Sequence, residues 1–223
     1  MNKAFGNCDP ALEAYTYQAF APEDEFLKDV RARQQAAGLP DIQVAPLDGK
    51  HLEVLAAAVG AKRAVEIGTL GGYSGVCLLR GMGEGARLDT FELDPKHAEV
   101  ARETFRRAGF AEAARIHIGP ASERLGDIVA DAPFDLVFVD ADKTGYPAYT
   151  AWAAEHLRPG GVILLDNAFL FGRVVFEGEA LTAEHAPAVK AMRDTHAMLA
   201  SSGRFRATML PTGEGLAMGV KIR

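Results

Sequence analysis

Short apolar runs alternate along most of this chain with longer stretches in which apolar residues recur three and four positions apart. Continuous apolar runs suit strands covered on both faces of a sheet, and the longer pattern suits helices. The alternation predicts strand Arg63 to Ile67, a helix from Tyr73, strand Arg87 to Leu93, helix Pro95 to Ala108, strand Arg115 to Ile118 and helix Ser122 to Ala130. It continues with strand Phe134 to Val139, helix Tyr146 to Leu157 and strand Val162 to Leu165. Repeated strand, helix, strand units demand a parallel sheet with helices on both faces. The C-terminal part differs. After a helix from Ala183 to Ser202, Phe205 to Leu210 and Leu216 to Ile222 flank the turn Pro211-Thr212-Gly213-Glu214-Gly215, too short for anything but an antiparallel hairpin.

Upstream, Pro10 to Ala37 reads as helical with a break near Pro22, closed by Gly38-Leu39-Pro40, and Leu47 to Val59 reads as a further helix ending at Gly60. The expectation is one domain over residues 1–223, made of a helical arm (1–40) and an α/β core (41–223). A hydrophobic content of 48% and a charged content of 24% fit a globular chain of 223 residues with a sizeable core. A net charge of −6, with no sustained Lys/Arg run, excludes a nucleic-acid binder held by phosphate contacts. The short basic patches Arg31-Ala32-Arg33 and Arg106-Arg107 read as solvated helix faces. Cys8 and Cys77 cannot form a framework, and Cys77, among Val76, Leu78 and Leu79, reads as a small buried hydrophobe. A reducing cytoplasm fits this cysteine usage. Met1 to Gly6 lacks the apolar core of a secretory signal, and no apolar run approaches membrane-spanning length.

Two of the predicted strands end in acids: Val139-Asp140-Ala141-Asp142-Lys143 and Leu165-Asp166-Asn167. Ligands of open α/β sheets bind at the carboxyl ends of strands, so Asp140, Asp166 and Asn167 can converge there. Hard oxygen donors in one place suit Mg²⁺ or another hard divalent cation such as Ca²⁺ or Mn²⁺. The run Glu66-Ile67-Gly68-Thr69-Leu70-Gly71-Gly72-Tyr73-Ser74 lies where the first strand turns into its helix, and its glycines permit close approach of a ligand to the backbone. It does not match G-x-G-x-x-G. The next strand ends in Phe91-Glu92-Leu93-Asp94, where Glu92 is placed to accept from a ribose diol and Asp94 before Pro95 reads as a helix cap. Ser74 and Ser122 lack the His and Asp arrangement of a hydrolase, and His97 and His117 read as surface positions. Trp152, Phe169 and Phe171 are candidates for a pocket wall, although Trp152 on a helix reads more readily as core or interface.

On these motifs the chain resembles the class I S-adenosylmethionine-dependent methyltransferases, and within them the cation-dependent O-methyltransferases related to catechol and caffeoyl-CoA O-methyltransferase. The resemblance runs from about Ile42 to the end. It implies a doubly wound, Rossmann-like sheet of seven mostly parallel strands, with S-adenosylmethionine as cofactor. It also implies Val44 at the methionine end, Glu66, Gly68, Thr69 and Ser74 in the first cofactor motif, and Glu92 with Leu93 at the ribose. Ala121 of Gly119-Pro120-Ala121 would lie on the adenine side, and Asp140 and Asp142 would touch the cofactor. Asp140, Asp166 and Asn167 would be the metal ligands and Lys143 the general base, beside Asp140 as a second catalytic group. The acceptor would be a small catechol-like molecule, and the assembly a homodimer. Lys50 stands where the family commonly has glutamine, and Ala168 to Phe176, a loop that lines the acceptor pocket in the family, is unusually apolar. Two rival readings stay open. A nicotinamide-dependent oxidoreductase accounts for the glycine turn and Glu92 but not for Asp166-Asn167, and a non-catalytic nucleoside- or metal-binding module would need the same ligands.

Overall fold

The computed structural model describes residues 9–222, so Cys8, the Met1 to Gly6 segment and Arg223 lie outside the described residues. The predicted N-terminal helix splits at Pro22 into α1 (Pro10–Phe20), capped by Asp9, and α2 (Glu25–Ala36), capped by Asp24. Helix α3 (Pro46–Ala58) follows, and then the alternation begins: β1 (Arg63–Ile67), α4 (Tyr73–Met82), β2 (Arg87–Glu92), α5 (Pro95–Arg107) and β3 (Ala114–Ile118). Asp94 caps α5 through Lys96 N at 2.7 Å, with Pro95 in the first turn, as the sequence predicts. The helix expected over Ser122 to Ala130 is instead one α-turn, α6 (Ala121–Arg124), running into a 3₁₀ segment at Leu125–Asp131. Gly126 and the β-branched Ile128 and Val129 favour an α-helix there only weakly, while Leu125 and Ile128 are buried either way. The chain goes on through β4 (Phe134–Val139), α7 (Tyr146–His156), β5 (Leu157–Leu165), α8 (Ala186–Ser201), β6 (Phe205–Leu210) and β7 (Leu216–Lys221).

The seven strands form one sheet in the order β3-β2-β1-β4-β5-β7-β6. From β3 through β5 neighbouring strands pair in parallel, and β7 pairs antiparallel with both β5 and β6. This is the Rossmann-like α/β fold, with the expected C-terminal hairpin at one edge. Alternate residues of each strand enter opposite faces. Val65, Val137 and Ile163 pack with Ile128, Tyr149 and Met192 on one side, while Ala64, Leu136 and Leu164 pack with Leu52, Leu79 and Phe105 on the other. Cys77 is buried in the second layer, where burial pushes its thiol up to about 12, as suits a small hydrophobe. Among the described residues no helix is long and apolar enough to cross a membrane.

The basic patches are not merely solvated. Arg107 pairs with Asp29 at 2.7 Å and Arg33 approaches Glu103 at 3.7 Å, so α2 is tied to α5 across the sheet's outer layer. His117 also departs from the surface placement expected of it. Its ring stacks on Phe91 with centroids 4.7 Å apart, and Nε2 lies 2.9 Å from Asp89 Oδ1. β3 is an edge strand, yet His117 pairs in register with Phe91 of β2 and is covered by that neighbour's side chains, which periodicity alone does not reveal.

Candidate active site

Strand order reverses between β1 and β4, and at such a switch point the loops leaving the strands part to form a crevice. A cleft of about 1110 Å³ opens there. Its floor depends on one glycine. Gly68, with φ +102°, lies so near the backbone of Asp140 that a Cβ would sit 1.9 Å from the Asp140 carbonyl oxygen. No other residue tolerates both that dihedral and that approach. The glycine turn after β1 and the acidic turn after β4 therefore share a wall.

Val44, Gly68, Thr69, Ser74, Glu92, Leu93, Ala121, Asp140, Asp142, Lys143, Asp166 and Asn167 all line this cleft. Glu66 does not. It is fully buried beneath the turn, where Ser74 Oγ and Thr90 Oγ1 each donate to its carboxylate at 2.6 Å. Burial pushes Glu66 up to about 7 despite those two bonds. Its part is to hold the turn from below and orient Ser74.

That burial carries a testable consequence. A carboxyl whose pKa is raised on folding favours the fold below its unfolded value of about 4.5, and the benefit is lost as pH rises through about 7. Glu66→Gln removes the titration. The variant is expected to gain up to about 3 kcal/mol on the wild type between pH 5 and pH 8. Urea denaturation at both pH values measures it, and parallel pH dependences would show Glu66 to be ionised at no cost.

Glu92 is 8% exposed, and backbone already engages both its oxygens: Leu70 N donates to Oε2 at 2.8 Å and Asp94 N to Oε1 at 2.9 Å. It braces the glycine turn as well as facing the cleft. His97, read from sequence as a surface residue, lines the cleft too, with Nδ1 3.4 Å from Glu92 Oε1. Of the three aromatic candidates only Phe171 reaches the wall. Trp152 packs between Phe134 and His156, and Phe169 packs against Gly215.

At the other end, Val139 and Leu165 are paired neighbours on β4 and β5, so Asp140 and Asp166 leave the sheet side by side. Asp166, although at a strand end, is only 4% exposed. Burial, then the Asp140 charge, push it up to about 7. The Asp48 carboxylate, in the first turn of α3, adds to that repulsion. Asn167 follows in the left-handed region at φ +51°, as do Leu170 and Phe171 a few residues on. Such strain in non-glycine residues gathers at functional sites.

Lys143 donates to Asp140 Oδ1 at 3.0 Å and to the Tyr146 hydroxyl at 2.7 Å. Tyr146 in turn donates to the Asp166 carbonyl oxygen at 2.9 Å. The ammonium is thus fixed between the two acidic strand ends. Asp142 accepts from the Tyr149 hydroxyl at 2.7 Å. Tyr146, Tyr149, Asp41, Asp48, Glu214 and Arg31 are among the members that sequence reasoning missed. The cleft wall holds seven carboxylates, those of Asp41, Asp48, Glu92, Asp140, Asp142, Asp166 and Glu214, against the two cations Arg31 and Lys143. Such a wall favours cationic ligands. Among the described residues no three His, Cys, Asp or Glu side chains gather as a metal-binding group.

The family model described as O-methyltransferase matches residues 17–222. A catechol O-methyltransferase of Mycobacterium tuberculosis is 41% identical over 187 residues, covering 84% of each chain. A catechol O-methyltransferase of Niastella koreensis is 37% identical over 202 residues, covering 90% of this chain and 89% of the relative. Among solved structures, an O-methyltransferase from Bacillus cereus in complex with S-adenosylhomocysteine is 37% identical. It superposes with a TM-score of 0.86 over 95% of this chain and 97% of that one.

Proposed function

The chain belongs to the O-methyltransferase family, and from that premise we propose that it moves the methyl group of S-adenosylmethionine to one of two vicinal hydroxyls on a small, catechol-like acceptor, with a divalent cation bound. The observation that carries this reading is the shared wall between Gly68 and Asp140, which sets a nucleoside-type turn beside the acidic pair and Lys143. A sulfonium cofactor also suits a wall so rich in carboxylates.

The donor set fits a hard cation. Asp140, Asp166 and the Asn167 amide offer oxygen ligands at adjacent strand ends, and two acids forced together in a buried place are relieved by a dication. Mg²⁺ is the first choice. Such an ion supplies Lewis acidity that favours the ionised acceptor hydroxyl. The remaining work falls to the chain. Glu92 and the glycine turn hold the nucleoside, Asp142 is aligned by Tyr149, and Phe171 offers a flat apolar surface to an aromatic acceptor. Lys143, positioned by Asp140 and Tyr146, takes the acceptor proton once it has lost its own. Holding acceptor and methyl donor in line supplies a further share of the rate.

Helix α1 contains no buried residue and exposes Leu12, Tyr15 and Phe20, which supports a homodimer built on the arm. A cytoplasmic setting completes this reading.

Calorimetric titration with S-adenosylmethionine and with NADH separates the proposal from a nicotinamide-dependent oxidoreductase. Binding of the first alone is expected. Glu92→Ala is expected to weaken S-adenosylmethionine roughly ten- to a hundredfold, the worth of a bond to a charged group. Because Glu92 also accepts from Leu70 and Asp94, the variant is expected to melt at a lower temperature. Unchanged affinity would move the ribose contact to another residue.

A further inference from the structure

After β5 the chain enters a loop in which Asn167, Leu170 and Phe171 hold the left-handed region at φ +51°, +53° and +54°. Strain of that kind persists only where the surroundings over-determine it. The near half of the loop is fixed by the turn before β7: Ala168 N donates to Gly215 O and Phe169 N to Glu214 O, each at 2.9 Å. Leu170 is buried in the apolar layer that Val189 and Met192 of α8 share, and Val174 packs against that layer. Phe171, between the two, is 55% exposed and lines the cleft. Burial of its own ring therefore does not hold it in place.

The far half of the loop is fastened differently. Arg173–Val175 make one 3₁₀ turn, closed by Phe176 N donating to Arg173 O at 2.9 Å. The last carbonyls of a helical turn have no partner inside it. Arg193, on α8, reaches two of these oxygens: Nε donates to Val174 O and Nη2 to Phe176 O, both at 2.9 Å. A guanidinium is a rigid fork, so the two bonds together fix the position and the orientation of the turn. The Glu177 carboxylate, 4.0 Å from the guanidinium and exposed, adds little. Arg193 does not itself line the cleft.

We infer that Arg193 is a positioning residue for the acceptor: by tying the Val174 and Phe176 carbonyls to α8, it keeps Leu170 and Phe171 in the strained form that sets the Phe171 ring in the cleft wall. The inference rests on the acceptor reading above and extends it to a side chain outside the cleft. Cofactor binding, which depends on the turns after β1 and β2, is independent of it.

The test uses Arg193→Met, Arg193→Lys and Phe171→Ala, and it has one arm that needs no activity. Hydrogen exchange follows the loop amides. In the Met variant those of Arg173, Val174 and Phe176 are expected to exchange about tenfold faster or more, with Ala168 and Phe169, tied to the turn before β7, changed less. Kinetics with S-adenosylmethionine, Mg²⁺ and a catechol follow the acceptor. The Met variant is expected to raise the acceptor KM about tenfold with kcat little changed and with S-adenosylhomocysteine affinity at the wild-type value. Lysine, a point charge that cannot span both carbonyls, is expected to fall between. Because Arg193 acts through Phe171, adding Arg193→Met to Phe171→Ala is expected to raise KM little further. Unchanged loop exchange in the Met variant, faster exchange throughout the sheet, an equal loss of cofactor affinity, or additive effects in the double variant overturns the assignment. A wild type that binds S-adenosylhomocysteine but does not methylate a catechol overturns the acceptor reading instead, and loop exchange then decides whether Arg193 holds the loop.

Discussion

Asp166→Ala and Asn167→Ala are each expected to remove cation-dependent methyl transfer almost entirely, with turnover falling roughly a thousandfold or more. The argument is one of neighbours. Asp140 and Asp166 emerge from paired strands, and in the proposed site Asn167 adds the third oxygen, so losing either side chain leaves the cation with two of its three adjacent strand-end ligands. The two variants are expected to differ in stability. Asp166 holds its strand through its backbone, N to Val139 O at 3.0 Å, and among the described residues its carboxylate accepts from Asn167 N. Alanine there removes a buried acid pressed by Asp140, so the metal-free protein should melt no lower than wild type. Asn167, in the left-handed region at φ +51°, is different. Asparagine tolerates that region better than alanine, so the second variant should lose about 1 kcal/mol. Steady-state rates with Mg²⁺ and after chelator treatment, together with thermal melts, measure both. Full activity of either variant in chelator-treated buffer would show the metal site to be misplaced.

The parts of this site legible in the sequence were those that lie at the ends of strands. An apolar run that stops at an acid places that acid at the sheet's carboxyl edge, which located Asp140 and Asp166 without any structure. A turn rich in glycine between strand and helix located Gly68 in the same way. What stayed hidden comes from elements whose own patterns explain each residue away. Asp48 in the first turn of α3 reads as an ordinary partner of a helix start, and Arg31 as one charge on a polar helix face. Tyr146 reads as a core aromatic at the start of α7, and it is buried; only the folded chain shows its hydroxyl joining Lys143 to the Asp166 carbonyl. Depth of burial was not legible at Asp166, and it was misjudged at His117. Strand position tells which edge a residue occupies, while its cover depends on loops that arrive from elsewhere, here α3 and the turn before β7.

The acceptor is where the mechanism constrains most and the sequence least. A hard dication takes six or more ligands, and in the proposed site Asp140, Asp166 and Asn167 would supply three side chains, so an acceptor with two adjacent oxygens would have open positions to fill. A catechol is therefore expected to be methylated far faster than the matching monophenol, which cannot be oriented by two bonds. Lys143 should act on the same step. It lies within 3.0 Å of Asp140 and 2.7 Å of the Tyr146 hydroxyl, fixed beside the acidic strand ends and unable to swing away without breaking both contacts. A base stabilises the transition state and contributes little to the ground state. Lys143→Ala is accordingly expected to lower kcat by about a hundredfold or more while changing the acceptor KM little. Tyr146→Phe, which keeps the buried ring but leaves the ammonium with Asp140 as its one remaining partner of the two, should lower kcat in the same direction by less. Kinetics on the catechol and monophenol pair at saturating Mg²⁺ decide both points. Equal rates for the two acceptors would sink the chelation model, and a Lys143→Ala enzyme with wild-type kcat would leave Lys143 as no more than the counter-charge of Asp140.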